Sequence, residues 1–234
     1  MLRCGKIILI FYIMPIFFEK EILGDTRLAV WKIEEDEAFF LEKVPLHRAI
    51  THPHKRLQHL AGRYLLQHLY PGFPIRLIQI ADTRKPFLEN DAYHFSISHC
   101  GEYAAAIVST HKRVGVDIEL FSEKITRIQH KFVSEEEHPV LQSPWSNGAD
   151  GPVLDKAPAD DVKKLGLLWS SKEAVFKWYG WGEVDFRRHI CIRSVVPTGQ
   201  DSFESIVHFK KNEDLYLDLH SRFFDSVCLS YVVT

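Results

Sequence analysis

Cysteine is scarce in this chain: four residues in 234, at positions 4, 100, 191 and 228, with no CxxC pair among them. That spacing excludes a disulfide scaffold and a zinc ribbon, and it points to a reducing, cytoplasmic setting. A charge excess of either sign is also missing, since 29 Lys and Arg against 31 Asp and Glu leave a formal net charge of −2. Proteins that live by wrapping nucleic acid carry a clear basic excess, so any anion site here has to be local. What is present is ordinary globular composition, with 46% hydrophobic and 26% charged residues. A chain of this size buries roughly 70% of its unfolded surface and needs no covalent staples to fold.

Long apolar runs are absent except at the start, where Arg3 and Lys6 precede residues 7–18. Such a run is too short to cross a bilayer as a helix. Glu19, Lys20 and Glu21 follow it, where a secretory signal needs a small-residue cleavage site. The expectation is a start at Met14, with residues 1–13 a non-native or disordered extension and a first strand over 16–23.

Beyond it the pattern predicts a strand over 27–33 and an acidic helix over 34–42. Residues 45–59, PLHRAITHPHKRLQH, hold four histidines, Arg48, Lys55 and Arg56 with no acid. They lead into a helix whose Leu57, Leu60, Ala61, Tyr64 and Leu65 recur at helical spacing. Strands are expected at 75–80, 94–98, 103–110 and 114–120, the last three as an antiparallel meander because their links are short. Residues 138–164 read as a loop-like insertion. A helix over 165–179 then precedes strands at 190–195, 205–209, 215–219 and 227–233.

Four clusters could carry chemistry. In GVDIE, Asp117 and Glu119 share one strand face while Val116 and Ile118 take the other. Two carboxylates on one face suit a hard cation such as magnesium, and they equally suit a solvated acidic face. In WSSKEAVFKW, Glu173 and Lys177 lie four apart on one helix face, with Lys172 beside them. Two ammonium groups around a carboxylate could bind phosphate; Ser170 with Glu173 could instead be a capping box, and Glu173 with Lys177 a surface ion pair. Ser98 and His99 close the strand FSISH, where a histidine can contact an anion or simply face solvent. Lys85 in TRKP is by itself a basic turn.

Together and in this order, KP, FSISH, GVDIE and WSSKEAVFK resemble the 4'-phosphopantetheinyl transferases of the pseudo-dimeric, surfactin-synthetase-activating type. The resemblance is firm over residues 85–178 and looser from Met14 to the C-terminus. It implies an α/β (α+β) fold of two similar halves, 14–112 and 113–234, related by a pseudo-two-fold. Each half would be a mostly antiparallel sheet packed with a helix. It implies transfer of the 4'-phosphopantetheine arm of coenzyme A to a serine of an apo carrier protein, releasing adenosine 3',5'-bisphosphate. Asp117, Glu119 and Glu173 would hold Mg2+. Glu173, or a metal-bound water it orients, would be the base; Lys172 and Lys177 would meet the pyrophosphate, with Lys177 neutralising or protonating the leaving oxygen. His99 and Lys85 would contact coenzyme phosphates, with Ser98 near the adenine end. Arg56 and Arg63 fall in the family's upstream basic helix. A basic patch over 121–132, with Lys124, Arg127 and Lys131, would face an acidic carrier. The chain departs from the family at Arg84, where many members have glycine, and in the long 138–164 segment. The expected protein is a cytoplasmic monomer without nucleic-acid or membrane partners. The competing readings are a magnesium-dependent phosphohydrolase and a non-catalytic nucleotide binder.

Overall fold

The computed structural model describes residues 16–47, 49–145 and 158–234. The expectation for residues 1–13 lies outside them. Strands β1 (Ile16–Ile22) and β2 (Thr26–Lys32) form a hairpin, and α1 (Glu37–Leu41) starts where the Asp36 carboxylate accepts the Phe39 N–H at 3.0 Å. Helix α2 (Pro53–Leu69) opens on a proline, whose missing N–H costs nothing at a first helical turn.

The expected strand over 75–80 is corrected. Ile75 and Ile78 are buried and Leu77 is exposed, a spacing of three, so this segment forms a short 3-10 helix, Ile75–Leu77. Only β3 (Gln79–Ile80) and β4 (Pro86–Phe87) pair, as a small two-stranded sheet.

Strands β5 (His94–Cys100) and β6 (Tyr103–Ser109) complete a first antiparallel sheet of order β1-β2-β6-β5. Strand β7 (Val114–Leu120) does not continue it, which corrects the meander. Both edges of β6 are already taken by β2 and β5, so β7 starts a second sheet. After α3 (Lys124–Ile128), α4 (His138–Gln142) and α5 (Pro158–Tyr179) come β8 (Ile190–Pro197), β9 (Ser202–Phe209), β10 (Leu215–Phe223) and β11 (Val227–Val233). The second sheet runs β7-β11-β10-β9-β8, antiparallel throughout.

The segment read as a loop over 138–164 is therefore partly helical. α5 begins seven residues before the expected position, with Asp160 and Asp161 in its first turn, where acids complement the helix dipole. Alternation along β2 places Ala29 and Trp31 among the residues around α2, while Leu28 and Val30 meet Val116, Ile118 and Leu229 of the second sheet. The first sheet thus lies between α2 and the second sheet, while β7 and β11 of the second sheet lie between α5 and the first. α5 lies directly on β7. A Cβ at Gly115 would come within 2.1 Å of the Ala174 carbonyl oxygen, so glycine is required there.

Candidate functional site

Strands β5 and β7 are the neighbouring edges of the two sheets, and side chains rather than a backbone ladder bridge them. Ser96 Oγ accepts the Val116 N–H at 3.2 Å, and Ser98 Oγ donates to Asp117 Oδ1 at 2.8 Å. From α5, Lys177 Nζ donates to Asp117 Oδ1 at 2.6 Å and to Ser98 Oγ at 2.8 Å. Asp117 is 1% exposed, and its second oxygen, Oδ2, is buried without a hydrogen-bond partner among the described residues. A buried carboxylate oxygen left unmatched is costly unless something electropositive meets it.

Glu119 and Glu173 border the same place. Trp169 Nε1 donates to Glu119 Oε1 at 3.4 Å. Burial, and then the charge of Asp117, pushes the carboxyl groups of Glu119 and Glu173 up to about 7. Three acids share one seam with one ammonium reaching them, so the cluster is short of positive charge. His99 stands at its rim, where burial and then the Lys177 charge hold its imidazole below the usual histidine range. Among the described residues no three His, Cys, Asp or Glu side chains converge closely enough to hold a metal ion as they stand. The donor set nonetheless fits a hard divalent cation: all-oxygen ligands, an orphaned buried Oδ2, and two carboxyl groups that resist ionising without a countercharge.

The sequence model of the 4'-phosphopantetheinyl transferase superfamily matches residues 113–230, which run from just before β7 into β11. The chain belongs to the 4'-phosphopantetheinyl transferase superfamily. Among its relatives, the 4'-phosphopantetheinyl transferase gsp of Aneurinibacillus migulanus is 34% identical over 123 residues, 53% of this chain and 46% of that protein. Enterobactin synthase component D of Salmonella typhi is 32% identical over 126 residues, 53% and 47% of the two chains. Enterobactin synthase component D of Escherichia coli O157:H7 is 31% identical over 155 residues, 62% and 68%. The chain spans about half the length of the first of these relatives. The superfamily match takes in Asp117, Glu119, Glu173 and Lys177 together.

One superfamily expectation is corrected. Lys172 does not reach the seam: it is fully buried, with Nζ on Glu137 Oε2 at 2.7 Å, on the Phe132 carbonyl at 2.6 Å and on the Phe186 carbonyl at 2.9 Å. The reason is helical geometry. Lys177 lies five residues on, about 140° around the helix, whereas Glu173 lies within about 40° of it. Glu137 itself was missed, although Ser134 and Glu137 spell a capping box that forms, with Ser134 N–H donating to Glu137 Oε2 at 2.8 Å. Ser170, by contrast, caps nothing: it sits in the middle of α5.

Other residues expected at the site stand apart from the carboxylates. Arg56 holds Glu37 at 2.7 Å and the Ile50 carbonyl at 2.8 Å, and Arg63 is buried beside His59 at 3.1 Å. Lys85 directs its ammonium at the Trp178 carbonyl (3.3 Å), and burial followed by Arg113 lowers its pKa to about 8. A cavity of about 800 Å³ opens there, beyond the C-terminal end of α5, lined in part by Lys85, Tyr93, Phe95, Arg113 and Trp181. The departure at Arg84 now has a physical meaning, because Arg84 adopts φ +68°, a left-handed conformation that glycine takes without strain.

Proposed function

We propose that the protein transfers the 4'-phosphopantetheine arm of coenzyme A to a serine of an apo carrier protein, with Mg2+ and release of adenosine 3',5'-bisphosphate. The observation that carries this reading is the seam itself. Asp117, with an orphaned Oδ2 and bonded to Lys177, lies near enough to Glu119 and Glu173 for its charge to push both carboxyl groups up, in a chain of this superfamily.

Asp117, Glu119 and Glu173 would hold the magnesium ion. When bound it supplies charge neutralisation of the pyrophosphate and of the departing bisphosphate. Lys177 spends two of its three N–H bonds on Asp117 and Ser98. The third can meet a phosphate oxygen and offset charge as the leaving group separates. Glu173, one helical turn from Lys177, takes the proton of the carrier serine as its oxygen attacks the phosphorus that bears pantetheine. The P–O bond to the adenosine bisphosphate breaks, and the new phosphodiester stays on the carrier. His99, at the rim, faces the coenzyme phosphates. Such chemistry rests on positioning and charge compensation more than on covalent participation.

The acidic carrier docks on the exposed basic side chains of Lys124, Arg127 and Lys131, around α3. Residues 14–112 and 113–234 act as two halves of one monomer in the cytoplasm. Among the described residues Cys100, Cys191 and Cys228 are free thiols, which suits a reducing compartment, and no helix is long and apolar enough to cross a membrane. The test is incubation with several apo carrier proteins, coenzyme A and magnesium, read by intact mass. Addition of one phosphopantetheine arm to a carrier is expected, and hydrolysis of coenzyme A with every carrier unmodified would refute it.

A further inference from the structure

β7 is an edge strand of the second sheet, paired within it to β11 alone. Backbone N–H groups on the open side of such a strand need acceptors from outside the sheet, or water. Water is shut out here, because Val116 and Ile118 are fully buried. The acceptors come from β5 of the first sheet. Alternation along FSISHC turns Phe95 and Ile97 toward α2, and it turns Ser96, Ser98 and Cys100 toward β7. Those three side chains climb β7 in step. Ser96 Oγ accepts the Val116 N–H at 3.2 Å, Ser98 Oγ meets Asp117 Oδ1 at 2.8 Å, and Cys100 Sγ lies at the Leu120 backbone. All three are short, so the two edges approach closely without sharing a backbone ladder.

Ser96 differs from the other two in what it binds. Ser98 is shared with Lys177 and Cys100 stands beside Glu119, whereas Ser96 bonds only to backbone of β7. It is 4% exposed, so no substrate reaches it. The N–H it accepts lies one residue before Asp117, whose Oδ1 receives Lys177 from α5 at 2.6 Å and Ser98 from β5 at 2.8 Å. Two donors that close on one oxygen leave no slack. If the edge of β7 drifts from β5, one of those bonds has to lengthen.

We propose that Ser96 is a positioning residue: its hydroxyl holds the open edge of β7 at the distance from β5 at which Asp117 Oδ1 takes both Ser98 and Lys177, leaving Oδ2 free for the divalent cation. Ser96 acts through the Val116 peptide and touches neither cation nor coenzyme. Outer partners of this kind fix the orientation of a metal ligand. This rests on the transferase reading above, in which Asp117 holds magnesium.

The experiment compares wild type, Ser96→Ala, Ser96→Thr and Ser96→Val. Magnesium binding is titrated by calorimetry with coenzyme A present and no carrier, amide exchange at Val116 is followed by NMR, and steady-state transfer to a carrier is measured on the same proteins. The Ser96→Thr and Ser96→Val variants have nearly equal volume and differ in the hydroxyl, so the pair stays informative if Ser96→Ala folds poorly. In Ser96→Ala the magnesium Kd should rise on the order of tenfold. Transfer should fall at limiting magnesium and recover at saturating magnesium, where KM for coenzyme A should stay within about twofold. Val116 exchange should quicken. Ser96→Thr should bind magnesium like wild type, and Ser96→Val like Ser96→Ala. A Ser96→Ala protein that melts earlier yet keeps the wild-type magnesium Kd would overturn the inference, since that is the mark of a merely structural hydroxyl. So would equal magnesium binding by Ser96→Thr and Ser96→Val, or unchanged Val116 exchange in Ser96→Ala. If wild type binds magnesium but modifies no carrier, the transferase reading fails, and the calorimetry still decides whether Ser96 sets the site.

Discussion

Replacing Lys172 by methionine takes an ammonium out of the core while nearly preserving its volume, which makes it a direct test of the pair it forms with Glu137. Both side chains are fully buried, 2.7 Å apart. Burial pulls the Lys172 pKa below the lysine range, and Glu137 pulls against it. Removing one partner of such a pair costs about 3–5 kcal/mol. The two ends should differ. Without Lys172, the Glu137 carboxylate keeps the Ser134 N–H, the Ser134 hydroxyl and the Ile192 N–H, all within 3.0 Å, so Lys172→Met should cost near 3 kcal/mol, the low end of that range. Without Glu137, the ammonium keeps only the Phe132 and Phe186 carbonyls and two backbone N–H groups lose their acceptor, so Glu137→Leu should cost near 5 kcal/mol. The double variant should be no worse than Glu137→Leu alone, a coupling of about 3 kcal/mol. In a domain with about 5–15 kcal/mol to lose, Lys172→Met should lower Tm by roughly 6–12 °C. Urea unfolding followed by tryptophan fluorescence measures the cycle, and KM for coenzyme A is read on the folded protein. An unchanged unfolding midpoint with a raised KM would refute the reasoning and return Lys172 to the pyrophosphate.

Asp117→Ala and Glu173→Gln should each reduce transfer by more than about a hundredfold while the circular dichroism spectrum stays native; full modification of a carrier by either would remove that residue from the reaction. Arg84→Gly should raise stability by about 1 kcal/mol, because it relieves a left-handed non-glycine residue, and a lowered urea midpoint would contradict that. Lys85 titrates near 8 in the native protein against an ordinary value of 10.5. Between those values the unfolded chain binds a proton that the native one does not, so stability should rise with pH from about 8 to about 10. The neutral amine still donates to Trp178. Lys85→Met should lack that rise, and parallel pH profiles for the two proteins would count against the assignment.

Much of the seam was legible because it rests on local periodicity. Strand alternation alone places Asp117 with Glu119 and opposite Val116 and Ile118, and the structure keeps that division. Four-residue helical spacing likewise puts Glu173 and Lys177 on one face of α5. What local pattern could not supply was pairing at a distance. Lys172 reads as a third charge beside Glu173 until Glu137, 35 residues away, is folded against it. The 75–80 segment looked like a strand because its apolar content was visible and its burial at a spacing of three was not.

From its own residues, then, the sequence determined the element types around the site and the acids they carry, since side-chain direction follows from backbone period within a few residues. Only tertiary structure decided which edges meet and which charges are used up. β7 leaves the first sheet because β6 has no free edge, and that brings Ser98 within 2.8 Å of a lysine 79 residues away. Hydrogen-bond satisfaction at a sheet edge or a helix end is settled by whatever the rest of the chain brings there. For that reason the orphaned oxygen of Asp117, the buried partner of Lys172 and the contact of Lys85 with the end of α5 could be read only in the folded protein.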